Sequence, residues 1–421
     1  MGLSNIWHRY DRAIWIRVIG TILTTLTSFA IRPFLAIYLY NKTGNLYDIG
    51  LILGLAPLMG VLANIWAGGL ADKYGRKPLM VWSLLFQGVS MLGYIFAVTP
   101  LHFALVSVIN GIASSFYFPA ANAQIADIVP VGQLSEVFAL MHTALNVGAA
   151  LGPMLGLFMI RINQSLTFLA SAITLLMYGL LVLALIPETL HATMPTPEKG
   201  YVPKVDVTIK PKRISYKEHK FLFQFTLLTM PITLLYAQVE SIFPLYLQAN
   251  FANYLTIFTS LVTMNGILVV IIAVWLAKKT EKLHTPSVLL VGYILFACVA
   301  AGYGLGTWTK VIPLLFAAEV IFTIAECISF PNQSKLLTML APTHMRARYF
   351  SIFSMNWGIS KSLGPILGVV IFAHLGGLVM FTILSCLLLI SGMFTYYVTN
   401  TASSKASCSN LNVGRDSLST R

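Results

Sequence analysis

The stretch GGLADKYGRKPLM, Gly68–Met80, decides the fold of this chain. Apolar runs long enough to cross a bilayer lie on both sides of it, so this short charged patch is predicted to be a turn between two membrane-spanning helices. The two glycines at its start and Pro78 are expected to let the backbone reverse direction within a few residues. Three basic residues are expected to hold the turn on the cytoplasmic side, where positively charged loops are retained: Lys73, Arg76 and Lys77.

The composition is typical of a membrane protein. Of the 421 residues, 57% are hydrophobic and only 10% are charged, whereas soluble domains carry about 25% charged residues. The mean hydropathy is +0.79. A spanning helix needs about 20 mostly apolar residues, and about twelve such runs are present, which predicts an all-α polytopic membrane protein. The runs are 14–40, 47–71, 78–99, 101–127, 134–160, 165–186, 221–248, 253–276, 286–307, 311–338, 349–373 and 376–399.

The excess of basic residues follows the predicted topology. The net charge is +13, yet the loops assigned to the outside carry few cations, namely Lys42, Arg161 and Lys310. This positive-inside bias predicts that both termini lie in the cytoplasm and that the protein resides in the cell membrane. A nucleic-acid partner is therefore not expected. No spacing of Cys, His or acidic residues indicates a metal site, a cofactor or a catalytic group, so an enzyme is not predicted.

The chain is built from two similar halves. A polar stretch over 187–220 is predicted to be a cytoplasmic linker between a bundle at 1–186 and a second bundle at 221–399. Residues 400–421 are predicted to form a disordered cytoplasmic tail. The segment Gly152–Gly156 recurs as Gly364–Gly368 at an offset of 212 residues, and other prolines and aromatic residues keep the same register. Repeated backbone-restricting residues indicate two six-helix halves of the same topology.

The opening stretch matches the pattern G-x-L-A-D-(R/K)-x-G-(R/K)-(R/K), and the chain is identified by it as a member of the major facilitator superfamily. The resemblance implies two pseudo-symmetric six-helix bundles that move small-molecule substrates by alternating access. We expect the protein to work as a monomer in the lipid bilayer, with protons as the second transported species.

The same stretch is expected to gate the cytoplasmic side. Arg76 can reach the acid Asp127 at the end of the fourth run, and in the superfamily the residues matching Asp72 and Arg76 act as a latch. A simpler interpretation is that the basic residues only fix the topology. The predicted gating residues are Gly68, Asp72, Lys73, Gly75, Arg76, Lys77 and Asp127.

A second motif lies in the fifth run. Small residues four apart let helices approach closely, and a proline bends the helix by removing a backbone hydrogen bond. The motif consists of Gly148, Gly152, Pro153 and Gly156. It resembles the helix-five motif of drug exporters that work as antiporters, and close helix packing alone is the alternative interpretation.

Ionisable residues inside the apolar runs are the candidate proton-coupling and substrate residues, because a charge at this depth is costly and usually faces a cavity or a partner. They are Arg32, Glu240, Glu319, Glu326 and Lys361. Lys361 is expected to pair with either Glu319 or Glu326. The segments around Glu240 and Glu326 resemble those of LmrP-like multidrug exporters, a twelve-helix drug:proton antiporter family. The resemblance implies proton coupling and cation recognition at these two acids.

The chain also departs from that family. Drug antiporters usually place an arginine in helix four where this chain has Ser107, which corresponds to Glu319 under the repeat offset. We expect Arg32, taken as the only cation deep in the first half, to supply the missing charge.

Further polar and aromatic residues are candidates for the cavity lining: Asn110, Tyr236, Gln238, Phe243 and Trp357. Aromatic faces combined with a few acids suit lipophilic cations. The predicted function is therefore proton-coupled efflux of lipophilic, often cationic compounds. Proton-coupled transport of a sugar or another polar metabolite, and lipid flipping, remain open alternatives.

Overall fold

The computed structural model describes residues 10–130, 134–189, 219–281, 283–341 and 346–416. The chain divides into two compact units, Met1–Ser215 and Tyr216–Arg421. Most of the linker predicted over 187–220 lies outside the described residues.

The first unit contains six described helices. Few residues separate one helix from the next along the chain. Their bounds are α1 Arg12–Thr43, α2 Leu46–Tyr74, α3 Arg76–Phe96, α4 Pro100–Ile128, α5 Leu134–Ile162 and α6 Ser165–Leu185.

The second unit repeats this order. Its helices are α7 Lys220–Asn250, α8 Tyr254–Glu281, α9 Thr285–Trp308, α10 Ile312–Leu340 and a last element, Arg346–Asp416. Gly376 interrupts that element with φ 78° and ψ 167°, so we number the part before it α11 (346–375) and the part after it α12 (377–416).

The helices are long and apolar enough for a multi-pass membrane protein. Eleven candidate spans occur among the described residues, and the last of them, Tyr349–Thr401, is 53 residues long. A span needs about 20 residues, so this segment has room for two crossings. The predicted all-α polytopic fold is confirmed.

Local sequence signals set several helix ends. Asp11 caps α1 by accepting a hydrogen bond from the backbone N–H of Ala13 at 2.7 Å, and Thr99 caps α4 directly before Pro100. Gly44 ends α1 in the left-handed conformation.

The turn in the opening stretch is tighter than the sequence suggested. α2 continues through the two glycines as far as Tyr74, and α3 begins at Arg76. The reversal therefore depends on Gly75 alone, whose φ of 104° is readily adopted only by glycine. The prediction that Gly68, Gly69 and Pro78 make the turn was wrong, because one residue at positive φ is enough to separate the two helices.

Both units use the same helix pairs. In the first unit α1 packs on α5, α2 on α4, and α3 on α4 and α6. In the second unit α7 packs on the last element, α8 on α10, and α9 on α10 and the last element. The glycines fix the closest of these contacts: a Cβ on Gly152 would lie 2.6 Å from the Phe29 Cβ of α1, and one on Gly364 would lie 2.7 Å from the Ala237 Cβ of α7.

The end of the chain differs from the prediction. The backbone is helical to Asp416, where the sequence predicted disorder over 400–421. Adding residues to an existing helix costs far less than nucleating one, so α12 extends past its apolar span. Residues 417–421 lie outside the described residues.

Candidate functional site

The candidate site lies in the second unit, where four of the predicted charged residues sit on three helices. Glu240 is on α7, Glu319 and Glu326 are on α10, and Lys361 is on α11.

Lys361 pairs with Glu240. Its Nζ donates to both carboxylate oxygens of Glu240, at 3.2 and 3.0 Å. The two side chains are 27% and 38% exposed, respectively, so the pair is not sealed from its surroundings. The expectation that Lys361 would pair with Glu319 or Glu326 was wrong, because the close packing of α11 on α7 turns Lys361 towards Glu240.

Glu326 has polar neighbours and no basic one among the residues described in 219–281, 283–341 and 346–416. The Nδ2 of Asn265, on α8, donates to Glu326 Oε2 at 3.4 Å, and the hydroxyl of Tyr236, on α7, lies close enough to interact with the same carboxyl group. Three helices therefore converge on this acid.

An aromatic cluster lies beside Glu326. We define it as Tyr236, Phe322, Phe330 and Trp357. The ring of Tyr236 lies 4.7 Å from Phe322, 5.7 Å from Phe330 and 5.2 Å from Trp357, measured between ring centroids. Such a cluster offers both apolar surface and the negative faces of π systems, which attract organic cations.

Glu319 is set apart from this cluster. Its side chain is buried, and the hydroxyl of Tyr303, on α9, donates a hydrogen bond to its Oε2. Thr323 connects the two acids of α10: its hydroxyl donates to the backbone carbonyl of Glu319 at 3.0 Å and accepts from Asn265 at 3.0 Å. The two acids therefore lie in different environments, one packed inside the unit and one next to the aromatic cluster.

The first unit contains the neutral counterpart of the Glu319 contact. Ser107, which corresponds to Glu319, bonds the hydroxyl of Tyr94 at 2.7 Å. In the first unit a tyrosine on α3 thus bonds this position of α4, and in the second unit a tyrosine on α9 bonds the corresponding position of α10. The acid is present only in the second.

Replacing Tyr303 by Phe should lower the stability of the purified protein by about 1–3 kcal/mol, because Glu319 would lose its described side-chain donor while staying buried. In a Glu319→Leu background the same change should cost clearly less. Thermal unfolding of the two single variants and the double variant measures this coupling, and equal costs in both backgrounds would contradict it.

Two predicted lining residues belong to the packed interior instead. Gln238 is buried and donates to the backbone carbonyl of Gly364 at 2.7 Å. Phe243 is fully buried and stacks on Tyr303 at 4.4 Å. Asn110 donates to Ser90 at 2.8 Å inside the first unit, whereas Tyr236 and Trp357 join the aromatic cluster.

Arg32 lies beside an aromatic ring. Its guanidinium carbon lies 4.7 Å from the centre of the Phe29 ring, and the side chain is exposed. That Arg32 supplies the charge of the missing helix-four arginine stays a prediction, but the view of Arg32 as the only deep cation in the first half was wrong. Arg17 of α1 is 3% exposed and donates to the backbone carbonyl of Ala121 on α4, a burial that its place near the start of an apolar run concealed.

The predicted contact in the opening stretch is confirmed. Arg76 Nε lies 3.3 Å from Asp127 Oδ2. Lys73 lies over the ring of Tyr74 at 5.1 Å, and the side chain of Asp72 lies outside the described residues. The role of these residues in gating stays a prediction.

Glu188, which the sequence did not single out, completes this cluster. Its two carboxylate oxygens accept the backbone N–H groups of Arg76 and Lys77, each at 3.0 Å. A carboxylate at a helix N-terminus satisfies free N–H groups and the positive end of the helix dipole. The next residue, Thr189, donates to Asp127 at 2.7 Å, so the segment after α6 ties α3 to α4.

Comparison with known proteins shows which family has this architecture. The family model described as Major Facilitator Superfamily matches residues 18–360. An uncharacterized MFS-type transporter of Bacillus subtilis, YhjO, is 31% identical over 396 residues, which are 93% of this chain and 94% of that protein. A Na(+), Li(+), K(+)/H(+) antiporter of Planococcus maritimus is 27% identical over 382 residues, covering 85% and 89% of the two chains.

More distant proteins share the fold. The multidrug resistance protein MdtH of Aeromonas hydrophila is 23% identical over 356 residues, covering 84% of this chain and 86% of that protein. The crystal structure of a POT peptide transporter in complex with sulfate superposes with a TM-score of 0.76 at 14% identity, covering 96% of each chain. With a family model matched over most of its length and a relative that spans nearly all of it, this chain belongs to the Major Facilitator Superfamily and is a multi-pass membrane transporter, not an enzyme.

Proposed function

We propose that this protein exchanges protons for lipophilic cations and exports the cations from the cell. The observation that carries the proposal is the position of Glu326, a carboxyl group beside an aromatic cluster and without a basic partner among the described residues of the second unit. Relatives whose names denote an antiporter and a multidrug resistance protein support this class of function.

The proposed exchange follows from the chemistry of one carboxyl group. A carboxylate without a counter-ion in apolar surroundings is costly, so Glu326 is expected to bind either a proton or a cation. The two compete for the same oxygens, and binding of one drives release of the other. The aromatic cluster adds affinity for organic cations that carry apolar groups.

The direction of transport depends on movement between two conformational states of the protein. We propose that the protein works as a monomer in the cell membrane with both termini in the cytoplasm, and that the contact between Arg76 and Asp127 stabilises one of its states. Protons would enter from outside, and the cation would leave as Glu326 becomes protonated.

A second candidate is exchange of alkali cations for protons. Glu326, Asn265 and Thr323 bring several oxygen atoms together, and oxygen is the ligand that hard cations prefer. The Planococcus maritimus relative carries out this exchange by its name.

One experiment separates these functions. Purified protein is reconstituted in liposomes under a pH gradient, and the movement of tetraphenylphosphonium, sodium and a neutral sugar is compared with that in empty liposomes. Gradient-dependent movement of tetraphenylphosphonium supports the proposal. Movement of sodium alone favours the second candidate, and movement of the sugar alone would show that both are wrong.

A further inference from the structure

The side chain of Lys361 lies where an organic cation would be expected to bind. Its ammonium group donates to both oxygens of Glu240, at 3.2 and 3.0 Å, and lies 5.8 Å from the centre of the Trp357 ring. A carboxylate on one side and an aromatic face on the other are the two groups that recognise a lipophilic cation.

This contact can open. Both side chains are partly exposed, at 27% and 38%, so the pair is not enclosed by the packing of the unit. The ammonium of a lysine sits on a flexible four-carbon stem, so it can leave Glu240 without a change in the backbone. A ligand that offers a positive charge and more apolar surface can therefore replace it.

The aromatic rings near Lys361 indicate which kind of cation would displace its ammonium group from Glu240. Behind Trp357 the aromatic cluster continues through Tyr236 at 5.2 Å and Phe330 at 5.9 Å. An ammonium group of lysine uses one of these rings, whereas a cation with several apolar substituents could cover all three. A small hydrated cation would gain nothing from the rings.

We propose that Lys361 is a built-in competitor for the cation site formed by Glu240 and the face of Trp357. The site takes quaternary ammonium and phosphonium compounds, and each must displace the Lys361 ammonium in order to bind. Displacement weakens binding and speeds release, because the lysine returns to Glu240 when the ligand leaves. This inference rests on the proposed function, since it assumes that the substrates are lipophilic cations.

Lys361 and Glu240 should therefore have opposite effects on the affinity for an organic cation. Removing the competitor takes its positive charge away from the carboxylate and the ring, so affinity for the cation should rise. Removing the carboxylate takes away the attraction that both cations share. The gain from losing Lys361 should therefore disappear when Glu240 is neutral.

Equilibrium binding of tetraphenylphosphonium to the purified full chain in detergent tests this. Lys361→Met should bind the probe about tenfold more tightly than the unmodified protein, which corresponds to about 1.4 kcal/mol. Lys361→Arg keeps the competing charge and should bind within about twofold of the unmodified protein. In the double variant Glu240→Gln/Lys361→Met the gain should be absent. A neutral aromatic dye should bind equally to all of these proteins.

The same variants distinguish this inference from a structural ion pair and from the proposed function. Unchanged or weaker binding to Lys361→Met, or a gain that persists without Glu240, would overturn the inference, as would loss of folding in both Lys361→Met and Lys361→Gln. In liposomes Lys361→Met should show a lower KM with slower turnover. If the unmodified protein moves no tetraphenylphosphonium under a pH gradient, the proposed function fails, whereas transport with unchanged Lys361→Met affinity overturns only the role of Lys361.

Discussion

Replacing Glu326 by Gln should abolish proton-driven movement of tetraphenylphosphonium in reconstituted liposomes. The substitution keeps the shape of the side chain and an oxygen that can accept from Asn265 Nδ2 on α8, but it removes the group that takes up either a proton or a cation. A hydrogen bond or contact to a charged group contributes about 1.5–3 kcal/mol. We therefore expect the initial rate to fall at least about tenfold, towards that of empty liposomes.

A matched control makes this result specific. Glu281 is an exposed acid at the end of α8, far along the helix from Asn265. Glu281→Gln removes the same charge from the chain and should leave transport within about twofold of the unmodified protein, as expected for a surface substitution. Gradient-driven transport that survives in Glu326→Gln would contradict the proposed exchange. A loss shared by Glu281→Gln would instead point to an effect of net charge.

The helices and the repeat of two halves could be predicted because the sequence signals for them are local. The length of each apolar run sets a helix, and prolines and glycines repeated at one offset indicate two equal halves. Which charged residues pair could not be predicted in the same way. The pairing depends on the rotation of each helix about its axis, and the packing of the helices sets that rotation. Lys361 lies three and seven residues before Gly364 and Gly368, so all three share one helix face. Those glycines pack on α7, which carries Glu240.

Other site residues had no such signal. Tyr303 is one of 18 tyrosines, and its contact with Glu319 depends on how α9 meets α10. Asn265 is a single amide in an apolar run, and only its hydrogen bonds to Thr323 and Glu326 identify it as a site residue. Glu188 lies just beyond α6, where the sequence suggested only the start of a polar linker. These contacts join residues more than ten positions apart, and no pattern within one helix encodes them.

The two halves share a frame and differ in charge. The positions of Glu319 and Glu326 correspond to Ser107 and Ser114 at the repeat offset of 212. Both units have corresponding helix pairs, and the second unit carries acids on the face of α10 that meets α8 and α9. The repeat therefore accounts for the shared fold, and the chemistry proposed for Glu326 belongs to one half.

Replacing Gly156 by Ala should be among the most damaging single substitutions in the first unit. A Cβ at this position would overlap the backbone carbonyl oxygen of Ala30 on α1 and lie 2.9 Å from its carbonyl carbon. A backbone atom cannot rotate away as a side chain can, so α1 and α5 would have to move apart along their whole contact. Overpacking of this kind costs about 1–3 kcal/mol and occasionally more. For a chain of 421 residues, we expect the midpoint of thermal unfolding in detergent to fall by about 1–3 °C.

Gly179 on α6 is the matched control. A Cβ there would meet the side chains of Leu84 and Leu85 at 3.3 Å, which can shift by a few tenths of an ångström. Alanine also favours the helix over glycine by about 1 kcal/mol, so Gly179→Ala should unfold close to the unmodified protein. Equal midpoints for Gly156→Ala and the unmodified protein would show that the α1–α5 contact relaxes at little cost. A selective loss in Gly156→Ala would show instead that the helix-five motif holds two backbones together, which is a structural role that needs no contact with substrate.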